Sequence, residues 1–423
     1  MMDNSAERRP VFGSRIRVLH ITPSVRLLGA RRSLLTLAQN LAGTRVESLV
    51  VVPAEGDLTR EFQNLKIPYE INFLPPWRKG KSWWTLPQQV SRLRAIIHEF
   101  KPDVIHCNEI YPNPHALAAS AQKSASIESW SRLLQGKAAS PPLVPVVTHM
   151  RLSVTARLIK NYYLGDASRL IAVSNGAAAD FDQCPWKREK VRVVYNGIDL
   201  APFSRNELSR IRIRKDLGWD SSHFVIGQFG LMMPRKRPNL VIQWASAVLE
   251  KVPRARFLFI GDASPGQQEY LDQLKHQAQA SSAGHAIKFL SFQSDIAAYF
   301  SAIDVNLLLS NEEGFGRVII EAAGANVPSI GSRVGGIPEL IEHEKTGFIL
   351  GKHSASDEEV AACETQFVDY LSKLANSPKL TSDLGTAART TALIKFTPEA
   401  YADGCVKIFR EAIAAHRTEL DEW

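Results

Sequence analysis

The chain has 423 residues, of which 45% are hydrophobic, and this length predicts two or three globular domains. No apolar run approaches the roughly 18 residues of a membrane helix, the N-terminus has no apolar core of a secretory signal, and four scattered cysteines without a CxxC pair argue against a disulfide framework or a zinc site. The formal charge of +8 is uneven, at +11 for residues 1–200 and −3 for residues 201–423, so the first half suits an anionic partner.

Short β-rich apolar runs alternate with helical patterns along the chain, which is typical of parallel α/β architecture. The first half contains predicted strands at residues 17–22, 48–53, 70–74, 103–108, 144–149, 169–174 and 191–196. The second half contains predicted strands at residues 224–230, 256–261, 287–291, 305–310, 329–333 and 347–350. The pattern restarts at Phe224 after a charged connector, so we place a domain boundary near residue 200. Ligands bind at the carboxyl ends of parallel strands, so two such domains facing one another predict a cleft.

The loop after the first predicted strand, residues 22–33, reads TPSVRLLGARRS and contains one glycine, Gly29. It lacks the G-x-G-x-x-G pattern of dinucleotide sites, and the chain contains no G-x-x-x-x-G-K-[ST] phosphate loop. Neither NAD binding nor P-loop chemistry is therefore favoured.

Residues 75–87, PPWRKGKSWWTLP, concentrate tryptophans and cations in one predicted loop. Tryptophan favours the membrane interface, and each nearby cation gains about 1 kcal/mol at an anionic surface. The loop is therefore a candidate membrane contact, and the alternative is that the tryptophans pack beneath it or line an acceptor pocket. The residues concerned are Trp77, Arg78, Lys79, Lys81, Trp83 and Trp84.

Residues 227–238, GQFGLMMPRKRP, combine the glycine end of a predicted strand with Arg235, Lys236 and Arg237, just before a predicted helix. Cations at the carboxyl end of a strand, next to a helix N-terminus, form a phosphate site. A basic surface turn has the same composition, so the pattern alone leaves both interpretations open.

Residues 304–350 contain a buried strand, then Glu313 and the run Gly314-Phe315-Gly316, then a predicted helix from about Arg317. Glycine lets the backbone approach a ligand closely, and the free N–H groups at the helix start favour an anion. Glu321 lies about one turn into this helix, and a carboxylate accepts hydrogen bonds from two neighbouring sugar hydroxyls at once. The arrangement suits a sugar phosphate, although acids that complement the helix dipole produce the same spacing.

Together these segments resemble the retaining glycosyltransferases of family 4, which have the GT-B fold. The most specific piece is the Glu-x7-Glu motif, Glu313 to Glu321 within EGFGRVIIE, followed by GSRVGGIPELI and EKTGFIL. Supporting pieces are PDVIHCN, VVTHM, LIAVSN, VVYNGID, FLFIGD and DVNLLLS. The final FTPEAYADGCVKIFREAI resembles the helix that crosses back to the N-terminal domain in this family.

The resemblance implies an α/β protein with two Rossmann-like doubly wound domains facing a central cleft. Residues 1–200 correspond to the acceptor-binding domain, residues 201–395 to the nucleotide-sugar-binding domain, and residues 396–423 to the returning helix. It also implies that the reaction needs neither a metal nor a cofactor, because cationic side chains and helix N-termini stabilise the leaving phosphate.

The resemblance further implies roles for the matching donor-site residues. Lys236 neutralises the donor diphosphate, with Arg235 beside it, and Glu321 binds the donor ribose. Gly29 is the remnant of the glycine-rich loop that meets the diphosphate from the other domain.

The transferred sugar has its own set of matching residues. Glu313 and the backbone of Phe315 and Gly316 hold the sugar, and His149 borders its reacting carbon. His149 and Glu313 are therefore the catalytic candidates.

Two departures from the family pattern concern the donor site. The arginine that usually follows the donor-loop glycine is replaced by Leu231, and Arg235 or Arg237 is the candidate substitute. The N-terminal loop has Leu27 and Leu28 where the family usually has further glycines.

The expected function is retaining transfer of a hexose-type sugar from a UDP- or GDP-sugar to a saccharide or lipid-linked acceptor, in surface polysaccharide or glycolipid synthesis. The expected location is cytoplasmic, with peripheral contact to an anionic membrane. The alternatives are a non-catalytic nucleotide-sugar-binding protein, which Leu231 motivates, and a same-fold epimerase or phosphorylase. No zinc-finger spacing or RNA-recognition motif occurs, so we expect no nucleic-acid partner.

Overall fold

The computed structural model describes residues 15–77, 83–121, 142–351 and 357–421. In the first half of these residues, a parallel sheet is flanked by helices. Its strands are β1 (Ile16–Ile21), β2 (Val46–Val52), β3 (Tyr69–Ile71), β4 (Val104–Cys107), β5 (Val146–Met150), β6 (Arg169–Ala172) and β7 (Val191–Val193), in the order β3-β2-β1-β4-β5-β6-β7. The helices are α1 (Gly29–Leu41), α2 (Asp57–Asn64), α3 (Leu86–Phe100), α4 (Asn113–Ser120), α5 (Ala156–Asn161), α6 (Asn175–Ala179) and α7 (Lys187–Lys190).

The second half repeats this architecture. Its strands are β8 (Phe224–Phe229), β9 (Ala255–Ile260), β10 (Ile287–Leu290), β11 (Val305–Leu308), β12 (Ser329–Ser332) and β13 (Gly347–Leu350), in the order β10-β9-β8-β11-β12-β13. The helices are α8 (Glu207–Asp216), α9 (Pro238–Lys251), α10 (Gln268–Ala280), α11 (Ile296–Ala302), α12 (Arg317–Gly324), α13 (Ile337–Leu340), α14 (Asp357–Asn376), α15 (Pro378–Lys395) and α16 (Pro398–Asp421).

Both sheets are doubly wound, which confirms the predicted fold class. Strands such as β8 and β11 are buried along their whole length, because helices cover both faces of a parallel sheet. This explains why each strand was visible in the sequence as a short apolar run. The strand order reverses between β1 and β4 in the first sheet and between β8 and β11 in the second, and ligands bind at such switch points.

The final helix, α16, packs against the first sheet rather than the second. Tyr401, Cys405 and Phe409 join the apolar cluster that contains Val18 of β1 and Val147 of β5. The chain thus passes from the first sheet to the second and back again. In the described part of the chain, no helix combines the length and apolar character needed to cross a membrane.

The tryptophan-rich segment follows in part the alternative to a membrane contact. Trp77 is only 4% exposed, and its ring contacts those of His115 and Tyr163 in the core of the first sheet. Packing beneath the loop is therefore correct for Trp77, because burying an indole gains more than leaving it in water. Trp84 is 66% exposed. Arg78, Lys79 and Lys81 lie outside the described residues, and Trp83 begins a single helical turn before α3.

Candidate active site

Polar contacts join the carboxyl ends of the two sheets. The hydroxyl of Ser174, after β6, donates to the carbonyl oxygen of Gly314, after β11, at 2.6 Å. The carboxylate of Glu339 accepts from the backbone N–H of Asn175 at 2.9 Å and of Gly176 at 2.8 Å. The loops of the second switch point therefore lie directly against the first domain.

Close backbone packing fixes the loop that carries Glu313. Gly335 has a φ of +50°, and a Cβ there would overlap the carbonyl oxygen of Glu313. The N–H of Gly336 donates to that same oxygen at 3.2 Å. From the other domain, Gly176 packs on the backbone of Gly335 so closely that a Cβ would collide. Close contacts at both positions, together with the positive φ of Gly335, explain the glycine pair in GGIPELI.

The carboxylate of Glu313 is mostly buried and held by two weak polar contacts. Arg235 Nη1 and the Ser310 hydroxyl each lie 3.4 Å from Glu313 Oε2. A carboxylate offers about four acceptor positions, so capacity remains for ligand hydroxyls. Arg235 therefore contacts Glu313, and its contact with the donor diphosphate stays a prediction.

Phe315 and Gly316 contribute through their backbone. The Phe315 ring is buried against Tyr195 and Phe396, so its side chain faces the interdomain core. Gly316 has a φ of +104°, a conformation that favours glycine, and caps the start of α12. The first N–H groups of a helix have no partner within it, so this turn directs donors outward beside Glu313.

Lys236 reaches the same region from the loop after β8. Its ammonium group occupies the space that a Cβ on Gly230 would fill, and Gly230 has a φ of +120°. The positive φ favours glycine at residue 230, and a side chain there would also displace the Lys236 ammonium group. Burial lowers the pKa of Lys236, whereas the charges of Glu313 and Glu321 raise it. Both carboxylates of the Glu-x7-Glu motif thus act electrostatically on this lysine.

Glu321 connects this group to the first domain. It is buried on α12, and its Oε1 lies 3.4 Å from Nη2 of Arg317, one turn earlier. Arg317 in turn donates to the hydroxyl of Ser33 on α1 at 3.1 Å, and its Cδ lies 3.7 Å from the Cβ position of Gly29. The structure therefore brings Gly29, Lys236, Glu313 and Glu321 around one cleft.

His149 belongs to a chain of three buried histidines on neighbouring strands. Its Nδ1 lies 3.0 Å from Nε2 of His106, whose Nδ1 lies 2.9 Å from Nδ1 of His20. Nε2 of His20 lies 3.3 Å from the hydroxyl of Ser48. Burial lowers the pKa of His20 to about 3 and holds the pKa values of His106 and His149 well below the usual range, with the charge of Arg151 acting in the same direction on the last two. The three rings are therefore neutral at physiological pH.

Neutral rings restrict the protons of this chain to two arrangements. A neutral imidazole has one donor and one acceptor nitrogen. If the hydroxyl of Ser48 accepts a hydrogen bond from His20, every N–H of the three rings donates in the direction of Ser48, and His149 Nε2 is an acceptor without a proton. If Ser48 donates to His20 instead, all the bonds reverse and His149 Nε2 carries a proton. Within the described ranges, His149 Nε2 is buried and has no hydrogen-bond partner. His149 is thus buried and does not lie at an open surface.

Sequence reasoning did not assign a role to Arg151, two residues beyond His149. Its guanidinium donates to Asn108 Oδ1 at 2.6 Å and to the Tyr401 hydroxyl at 2.9 Å, and it also binds Asn196. It therefore ties the loop after β4, the loop after β7 and α16 together. A cation directly after a buried strand was the one available signal.

Two family sequence profiles match the chain and together cover most of it. The profile described as Glycosyltransferase Family 4 matches residues 28–202, and Glycosyl transferases group 1 matches residues 209–391. The chain belongs to glycosyltransferase family 4. The resemblance stated from the Glu-x7-Glu motif and its flanking segments is thereby confirmed.

Two curated proteins illustrate how distant its relatives are. A D-inositol 3-phosphate glycosyltransferase from Saccharomonospora viridis is 28% identical over 265 residues, which are 60% of this chain and 58% of that protein. An N-acetyl-alpha-D-glucosaminyl L-malate synthase from Bacillus anthracis is 24% identical over 73% of this chain and 74% of its own length. The chain thus matches little more than half of the first relative.

Solved structures of similar fold cover nearly the whole chain. Anabaena HepE, solved in complex with UDP and glucose, superposes with a TM-score of 0.74 at 22% identity over 94% of this chain and 100% of HepE. A glycosyltransferase from Rickettsia africae gives a TM-score of 0.71 at 19% identity over 94% of this chain and 99% of its own. This family 4 protein therefore has the GT-B fold.

Proposed function

We propose that the protein transfers a hexose-type sugar from a UDP- or GDP-sugar to a saccharide or lipid-linked acceptor, with retention at the anomeric carbon. The observation that carries the proposal is the convergence of Lys236, Glu313 and Glu321 on one cleft, opposite Gly29 of the other domain. One lysine and two carboxylates suit a nucleotide sugar. The lysine can pair with the diphosphate, and the carboxylates can accept charged hydrogen bonds from the ribose and from the transferred sugar. HepE in complex with UDP and glucose supports a donor of this class.

In the proposed reaction, Lys236 and the start of α12 stabilise the diphosphate. The bond between the anomeric carbon and the β-phosphate oxygen breaks, and its electron pair stays on that oxygen. The acceptor hydroxyl oxygen bonds to the same carbon from the same face, and its proton passes to the leaving phosphate. Glu313 holds the sugar hydroxyls and Glu321 the ribose. Fixed donors of this kind need no metal and no cofactor.

A thermal-shift screen against UDP, GDP and ADP tests the donor class. One nucleotide is expected to stabilise the protein, by roughly 2.7 kcal/mol at 100 times its Kd. The variant Lys236→Ala removes the cation that binds the diphosphate and is expected to lose most of this stabilisation. Stabilisation by none of the three, or by all equally in both proteins, would reject a nucleotide-sugar site.

Turnover with a nucleotide sugar that carries the selected base then tests the reaction itself. A proton NMR spectrum of the product identifies its anomeric configuration, and an inverted configuration would refute a retaining mechanism. Activity is expected to survive EDTA, and loss that Mg²⁺ restores would refute metal independence. Nucleotide binding without turnover on any saccharide or lipid-linked acceptor would favour the non-catalytic alternative that Leu231 motivates.

We also propose a cytoplasmic, peripheral membrane location in surface polysaccharide or glycolipid synthesis, supported by the basic first domain and by Trp84, which is 66% exposed. Trp84→Ala is expected to lower co-sedimentation with vesicles containing anionic lipid several-fold, because tryptophan favours the interface. The matched control is Ile394→Ala, at a residue that is 72% exposed on α15 of the other domain. Equal binding by both variants and the unaltered protein would refute this contact.

A further inference from the structure

The donor loop by itself supplies fewer free cations than its sequence suggests. Leu231 stands where the family usually has an arginine. Arg235 Nη1 donates to the carbonyl oxygen of Glu312 at 2.9 Å and contacts Glu313. The charge of Arg237 acts on the thiol of Cys363 on α14. The loop contains three cations, Arg235, Lys236 and Arg237. Of these, Lys236 is the one whose charge interacts with Glu321.

A second cation reaches the cleft from α12. Arg317 is the first residue of that helix, and its side chain is 14% exposed. Its Nη1 donates to Ser33 at 3.1 Å, its Nη2 lies 3.4 Å from Glu321, and its Cδ packs on Gly29. Among the residues that the structure describes, its Nε has no acceptor. The guanidinium therefore lies between the two domains, beside the helix start and the loop that meets the diphosphate.

The surroundings of Arg317 carry surplus positive charge. Burial lowers the pKa of Arg317 and the charges of Arg32 and Arg151 lower it further, whereas the charge of Glu321 raises it. The side-chain contacts of Arg151 are with Asn108, Asn196 and Tyr401, which are neutral. A desolvated cation next to other cations is costly unless an anion joins it. An anionic ligand at this point would remove that cost.

We propose that Arg317 is the second cation on the donor diphosphate, in the place of the arginine that Leu231 replaces. This inference rests on the proposed function. Its planar fork can bind two phosphate oxygens at once. Because Arg317 also touches Ser33 and Gly29 of the first domain, it contacts the diphosphate while both domains enclose the donor.

Paired ligands distinguish this role from a structural one. Binding of the nucleoside diphosphate that stabilises the unaltered protein, and of its monophosphate, is measured by calorimetry. Arg317→Gln is expected to weaken diphosphate binding by about 10–100-fold, the range for lost charged hydrogen bonds, and monophosphate binding by less than about threefold. If Arg317 only positions Glu321 or the domains, both ligands weaken equally, and that result overturns the inference.

Two further variants sharpen the comparison. Leu231→Arg in the Arg317→Gln background returns a cation to the donor loop and is expected to recover about tenfold of diphosphate affinity. Ser33→Ala removes the interdomain contact of Arg317 but keeps the charge of Arg317. We expect this variant to leave the ratio of diphosphate affinity to monophosphate affinity unchanged. If Ser33→Ala lowers the ratio of diphosphate affinity to monophosphate affinity as much as Arg317→Gln does, a direct phosphate contact is contradicted.

The design also separates failure of the inference from failure of the proposed function. An unaltered protein that binds neither nucleotide refutes the proposed function, and this inference with it. An unaltered protein that binds the diphosphate, together with an Arg317→Gln variant of unchanged affinity, refutes the inference alone. If Arg317→Gln does not fold, Arg317→Lys replaces it, because it keeps one charge but loses the fork; a selective loss of diphosphate affinity is again expected, and equal loss for both ligands again refutes the role.

Discussion

Lowering the pH from 7 to 5 is expected to remove several kcal/mol from the stability of the N-terminal domain, because four histidines are buried there as neutral rings. Burial lowers the pKa of His20 to about 3 and of His115 to about 4, and holds those of His106 and His149 well below 6.5. Below pH 6.5 the unfolded chain takes up protons that the folded chain does not. Stability is therefore complete above pH 6.5 and falls as the pH approaches the folded pKa values.

The expected loss is large relative to the stability of a domain. His20 and His115, whose pKa values fall to about 3 and about 4, each contribute about 1.4 kcal/mol per pH unit in this window. Together they correspond to about 4 kcal/mol at pH 5, and the lowered pKa values of His106 and His149 add to this loss. Whole domains are stable by about 5–15 kcal/mol. Acid unfolding should therefore begin in the first domain.

Denaturant unfolding at pH 5, 6 and 7 measures this dependence, and His115→Gln tests its cause. Glutamine can still donate to the carbonyl oxygen of Pro75, which lies 2.9 Å from His115 Nε2, but it binds no proton. The slope of stability against pH between 5 and 6 is expected to fall by about 1.4 kcal/mol per unit. His276→Gln, at an exposed position on α10, is the matched control. An equal slope for both variants would show that burial of His115 does not govern acid stability.

Glu313→Gln is expected to lower kcat/KM by about 10²–10³-fold while leaving nucleotide affinity within about threefold. The physical reason is that a carboxylate forms stronger hydrogen bonds with sugar hydroxyls than an amide does, and each charged bond contributes about 1.5–3 kcal/mol. Two such bonds correspond to this loss of rate, at about 1.4 kcal/mol per tenfold. Glutamine has nearly the same shape, so the loop held by Gly335 and Gly336 should keep its conformation.

The control for this variant is its exposed neighbour. Glu312→Gln removes the same charge one residue earlier, where the side chain faces solvent. It is expected to retain at least half of the activity in the same assay. Comparable losses in Glu312→Gln and Glu313→Gln would mean that the general negative charge of the loop matters and that Glu313 has no specific role.

Local patterns explain why the residues of the candidate site could be singled out from the sequence. Glu313 and Glu321 are joined by a short glycine turn and one helical segment, so their relative position follows from nearby backbone alone. Lys236 follows a strand by a few residues and must lie near its carboxyl end. The predicted strands correspond to observed ones because apolar runs bounded by turn residues have few other ways to be buried.

Contacts between distant segments could not be predicted. Burial of Trp77 depends on His115 and Tyr163, which come from other elements. The direction of the Phe315 ring depends on Tyr195 and Phe396. Local spacing contains no information about these partners.

The sequence by itself determined the two doubly wound sheets and the family, and it singled out Lys236, Glu313 and Glu321 as site candidates, because each depends on residues close together along the chain. Only the tertiary structure decided which cations lie close to these candidates. It turned Arg235 towards Glu313, and it brought Arg317 against Ser33 and Gly29, nearly three hundred residues away in the chain. It also aligned His20, His106 and His149 into one hydrogen-bonded chain, because neighbouring parallel strands set residues that are far apart in sequence side by side.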